Sequence, residues 1–89
     1  MNIEITRRKI VSGHYEITQH AKDEAANDGL DIRDLESIVL TGKIIRKLDK
    51  DPRGIRYVIG GMCQEKKQAE LVCRVLPSGK LRIITVYLK

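Results

Sequence analysis

Residues 31–48, DIRDLESIVLTGKIIRKL, decide the fold, because the spacing of their apolar residues changes part-way along. Asp31 reads as an N-cap, with Asp34 three residues on as the answering acid of a capping box and Leu30 placed to staple against Leu35. Ile32, Leu35, Ile38 and Val39 recur at helical spacing and form one buried face, and Gly42 stops the helix. From Lys43 the period becomes that of a strand, with isoleucine dominating up to Leu48. A helix thus passes directly into a sheet.

Downstream the strand period persists. Asp49 to Gly54 is dense turn chemistry, Ile55 to Met62 resumes a β pattern, and Gln64 to Lys67 forms a second turn. Gln68 to Leu76 is a strand with Leu71, Cys73 and Val75 on one face and Val72, Arg74 and Leu76 on the other. After the turn at Pro77-Ser78-Gly79, Lys80 to Leu88 closes the series, with Arg82, Ile84, Val86 and Leu88 opposite Leu81, Ile83, Thr85 and Tyr87 by simple alternation. Gly60-Gly61 lacks the strand-to-helix context of a phosphate loop and reads as a bulge or turn.

Upstream the pattern is helical. Thr18 caps a helix that carries Ile17, Ala21 and Ala25 on its inner side and ends at Gly29. His20 lies in its first turn, with Glu24 one turn later on the same face. Residues 3–12 form a short amphipathic helix on Ile3, Ile10 and Val11, and His14 and Tyr15 fall in the connection. The expected architecture is α+β: N-terminal helices packed on one face of a four-stranded antiparallel sheet, within a single domain spanning residues 1–89.

Composition narrows the function classes. The chain has 89 residues, three tyrosines and neither Phe nor Trp, so the core is aliphatic and any site shallow. No long apolar run occurs, so neither a signal peptide nor a membrane span is expected and a cytoplasmic location follows. Cys63 and Cys73 match no metal-ligand spacing and read as reduced, buried thiols. Charge is polarised: two basic residues stand against seven acidic ones over 13–42, and twelve basic against four acidic over 43–89. The basic half suits an acidic partner.

The order Thr18-Gln19-His20-Ala21, Asp28-Gly29-Leu30, Gly42-Lys43-Ile44-Ile45, Arg56-Tyr57-Val58-Ile59-Gly60 and Ile83-Ile84-Thr85-Val86-Tyr87 resembles the small prokaryotic proteins grouped as domain of unknown function 4258. That family is similar to the RelE/ParE and BrnT toxins, whose helices pack on an antiparallel sheet. The resemblance implies a RelE-like toxin of a toxin–antitoxin pair, a metal-independent endoribonuclease acting on mRNA. It also implies a small cognate antitoxin, of zinc-finger and DNA-binding type, as partner. Many members carry arginines on the helix after the His-Ala pair, where this chain has Glu24 and Asp28.

Cleavage of RNA without a metal needs a base for the 2′-OH, an acid for the leaving oxygen and cations for the charge that develops on phosphate. His20 suits the proton transfers, and Tyr57 and Tyr87 can donate a proton or stack on a base. Arg74 interrupts an apolar strand face, where an unpaired charge is costly; it either serves the site or pairs with Glu70 on the same face. Arg46, Arg53, Arg56, Lys80 and Arg82 are the candidate nucleic-acid contacts. No metal or other cofactor is expected. The competing reading is a non-catalytic RNA- or protein-binding module of the same fold.

Overall fold

The structure is a computed structural model that describes all of residues 1–89. In chain order its elements are α1 (Ile3–Val11), β1 (Tyr15–Ile17), α2 (Gln19–Asn27), α3 (Ile32–Thr41), β2 (Lys43–Leu48), β3 (Arg56–Met62), β4 (Gln68–Val75) and β5 (Leu81–Leu88). The class is α+β as expected, but the sheet has five strands rather than four, in the order β1-β5-β4-β3-β2, and is mixed. β2 to β5 form the expected antiparallel meander, and β1 adds to the edge of β5 in parallel. Tyr15, read as connection, is therefore a strand residue. Three residues are too few to show a period, and their ladder exists only once β5 is in place, with Leu81 N donating to His14 O and Thr18 N to Ile83 O.

The helix ends follow local chemistry. The Asn2 side chain caps α1, Thr18 Oγ1 accepts from Ala21 N at 3.1 Å, and Asp31 and Asp34 form the reciprocal capping box at α3. Leu35, Ile38 and Val39 of α3 are buried, as are Ala21 and Ala25 of α2, whereas Ile32 and Val11 turn to solvent. Gly60 and Gly61 are neither bulge nor turn; they are ordinary β3 residues paired with Glu70 and Ala69. Gly61 lacks a side chain because α3 lies against it: a Cβ there would stand 2.1 Å from Ile38 O. Two bulges fall elsewhere, at Ile45 in β2 and at Ile84 in β5, where the registers skip one residue.

The bulge in β5 changes which side chains share a face. Ile83 pairs with Cys73, and then Thr85, not Ile84, pairs with Val72. Simple alternation is overturned: Leu81, Ile83, Val86 and Leu88 face the helices, and Arg82, Thr85 and Tyr87 face away. The core is a cluster of aliphatic side chains, with Leu35, Ile38, Ile59, Leu71, Leu81 and Ile83 essentially without exposure, between α2 and α3 and one side of the sheet. Each such side chain contributes about 1.5–3 kcal/mol by leaving water. The other side of the sheet carries no helix.

Candidate functional site

On the uncovered face the strand registers align three arginines. Arg74 of β4 stands opposite Arg82 of β5, and Arg56 of β3 precedes Tyr57, which pairs with Cys73, so Arg56 falls beside Arg74 on its other flank. Neighbouring strands lie about 4.8 Å apart, which would leave three guanidiniums in mutual repulsion without counter-charge. Two carboxylates supply it. Glu16 of β1, opposite Arg82, accepts from Arg82 Nε at 2.9 Å. Asp51, from the β2–β3 loop, accepts from Arg74 Nη2 at 3.0 Å and lies 3.4 Å from Arg56 Nε.

Asp51 is itself fixed by the turn that follows it. Its carboxylate accepts from the Arg53 backbone N–H at 2.8 Å and from the Arg53 guanidinium at 3.3 Å, and Gly54 N donates to Asp51 O. These donors, the Arg53 N–H foremost, then the Arg53 side chain and Arg74, hold the Asp51 carboxyl well below the usual carboxylate range. Arg74 Nη1 donates to Arg53 O at 2.8 Å, so the buried Arg74 ties the loop to the sheet.

Above these residues opens a cleft of about 180 Å³ lined by Thr18, Arg53, Arg56, Arg74, Arg82 and Ile84. Its charged lining is four arginines and no acid, because Asp51 and Glu16 lie outside it. Arg53 and Arg56 also line a hollow of about 580 Å³ along the β2–β3 loop, together with Lys47, Lys50 and the acids Asp49 and Asp51. The cleft is roomy enough for one phosphate group and presents the planar, always-charged donors that suit it.

The structure gathers Arg53, Arg56, Arg74 and Arg82 from the expected residues and separates the others. Arg74 pairs with Asp51, not with Glu70: along β4 the two residues stand roughly 13 Å apart, and the loop carboxylate is nearer. Glu70 instead accepts from Tyr87 Oη at 2.5 Å, from Lys89 Nζ at 2.8 Å and from Arg46 Nη2 at 3.4 Å. These partners, Lys89 first and Tyr87 next, lower the Glu70 carboxyl, and the same hydrogen bond, with burial, raises the Tyr87 phenol. Arg46 and Tyr87 thus belong to a second cluster on the same face. Tyr57 points the other way and packs against the core under the helices. Lys80 lies in the β4–β5 turn, outside the cleft.

His20 sits at the edge of β5. Where β1 ends, α2 takes over that edge, and Glu24 accepts from Val86 N at 3.1 Å and from the Thr85 hydroxyl; His20 Nε2 is 3.4 Å from the same Glu24 oxygen. His20 does not line the arginine cleft, but Thr18, two residues before it, does. Sequence reasoning missed Thr18, Glu16 and Asp51. Asp51 carried a signal only as part of an Asp-Pro-Arg-Gly turn, and nothing local said that the turn folds back onto β4. No His, Cys, Asp and Glu side chains group in threes as a metal site would require, and no helix is long and apolar enough to cross a membrane.

Residues 17–88 match the family model described as Domain of unknown function (DUF4258), and the chain belongs to that family. The match runs from the last residue of β1 through β5, hence takes in every residue lining the cleft, and leaves α1, Tyr15 and Glu16 outside. Comparison with curated proteins and with solved structures finds no match.

Proposed function

We propose that this protein is the toxin of a toxin–antitoxin pair, an endoribonuclease that acts on mRNA without a metal and grips the RNA backbone in the arginine cleft. The observation that carries this reading is the row Arg56, Arg74 and Arg82 across three adjacent strands, opening on a cleft whose charged lining is wholly cationic. Such donors bind a phosphodiester in the ground state and stabilise the added charge when the 2′-oxygen attacks it. Arg56 and Arg82 keep free guanidinium nitrogens for this, whereas Arg74 is occupied by Asp51 and Arg53 O. A strand leaving the cleft past Thr18 meets the start of α2 and His20, whose imidazole can give or take a proton. The cognate small antitoxin, of zinc-finger and DNA-binding type, would be the partner that silences it.

A second reading, a non-catalytic RNA-binding module, is favoured by the dispersal of the remaining reactive groups. Tyr57 lies under the helices and Tyr87 is engaged by Glu70, so neither reaches a phosphate in the cleft. Incubation of the purified protein with single-stranded RNA in EDTA separates the two. The toxin reading expects cleavage that Arg82→Ala and His20→Ala each reduce. Retention of RNA in a salt-sensitive manner without cleavage products selects the module, and failure to retain RNA at all overturns both.

A further inference from the structure

Asp51 is an unexpected residue to find at an anion site, and its placement says why it is there. Its side chain is 7% exposed and does not line the arginine cleft, bordering instead the wider hollow along the β2–β3 loop that Arg53 and Arg56 share. Its contacts reach the three arginines that come from different parts of the chain: Arg53 in the loop, Arg56 at the start of β3 and Arg74 near the end of β4. Their side chains differ in freedom, from 79% exposed for Arg53 to 11% for Arg74. Without a common counter-ion these charges would splay apart, and each would lose rotamer entropy separately on meeting a ligand.

We propose that Asp51 is a positioning residue for phosphate: a buried carboxylate that, anchored by Arg74, gathers Arg53 and Arg56 into one donor surface facing a single phosphate group. The inference rests on the reading of the cleft given above and adds to it the residue that builds the site. It makes a prediction opposite in sign to simple electrostatics. Deleting a negative charge beside a phosphate site should strengthen binding if charge alone mattered; here it weakens binding, because the donors lose their alignment.

The test measures inorganic phosphate and a single-stranded RNA decamer against wild type, D51N and D51E over a range of salt. D51N is expected to bind both about tenfold more weakly, the factor for one charge-assisted hydrogen bond. Its RNA salt slope should fall by about 0.7, one phosphate contact fewer on a single strand. D51E, which keeps the charge, is expected to recover most of the affinity. Equal or tighter binding by folded D51N overturns the inference and leaves the phosphate cleft standing. Absence of binding by wild type overturns the cleft itself, and the inference with it.

If D51N does not fold, amide exchange in the unaltered protein decides. The Arg53 N–H that donates to Asp51 should stay protected, or gain protection, when inorganic phosphate saturates the cleft. Faster exchange would mean that phosphate displaces Asp51, and the carboxylate would then be a competitor and not a support.

Discussion

Asp51 and Glu70 make an instructive pair, because each is a largely buried carboxylate under cations on the same uncovered sheet face, yet the two ends of that face differ in what they offer a ligand. At the Asp51 end the acid is left out of the arginine cleft, whose charged lining is guanidiniums alone, and borders the wider hollow along the β2–β3 loop. At the Glu70 end the acid itself lines the trough, with Lys43, Ile45, Met62 and Lys89 around it. An anion approaching there meets a carboxylate as well as cations. On the proposed reading, the position of the carboxylate relative to the opening, more than the number of positive charges, would decide which end takes a phosphate.

The double variant R56A/R82A should show the largest effect, lowering affinity for single-stranded RNA about 100-fold, as two charge-assisted contacts are lost. Fluorescence anisotropy at fixed salt measures it, and an effect below threefold would erase the contrast between the ends. Glu70→Gln should act on stability instead. Loss of charge-assisted bonds to Lys89, Arg46 and Tyr87 costs about 1–2 kcal/mol in urea unfolding, with affinity per folded molecule unchanged. R46A/K89A, which strips the Glu70 end of its cations, should change RNA affinity less than threefold, the scale of exposed ion pairs. Smallest of all, His20→Ala should leave affinity within about twofold, since an exposed side chain at the β5 edge makes only one long polar contact, with Glu24; any role it has belongs to the cleavage rate.

The pH dependence of stability sharpens the same contrast. The Glu70 carboxyl is lowered on folding, so the unfolded chain takes up its proton first as acid is added. Its contribution is complete above the unfolded value of about 4.3 and disappears as pH falls through the folded one. Glu70→Gln should therefore flatten the acid limb of the stability curve. The tyrosines act at the other limb. Burial, with the bond to Glu36, pushes Tyr15 up to about 12, so its contribution holds below about pH 10 and is lost as pH rises through the folded value. Tyr15→Phe should lessen the alkaline loss, measured by circular dichroism between those limits.

The chemistry of individual residues was legible where it is local. Capping at Thr18 and Asp31, the glycine stops, and the switch from helical to strand period after Gly42 involve neighbours in sequence, and they formed as read. Arg74 was recognisable as anomalous because a charge in an apolar strand face must find a partner. Which partner it finds was not legible, since Asp51 is 23 positions away and Glu70 only four. The faces of β5 were misread for a similar reason. The bulge at Ile84 arises where the strand must serve β4 on one side and β1 with the Thr18 cap on the other, with Thr18 Oγ1 bonded to Ile84 O.

By itself the sequence determined the helices and their caps, the run of strands from Lys43 onward, the aliphatic core and the separation of acidic and basic halves, all of which follow from periodicity and short-range hydrogen bonding. Only the tertiary structure decided that a three-residue strand closes the sheet in parallel, that α3 presses on Gly61, and that four arginines share one cleft while Tyr57 and Tyr87 do not. Those outcomes depend on register and on a loop folding back across the sheet. Register is set by the packing of whole faces, and a shift of one residue exchanges one face for the other.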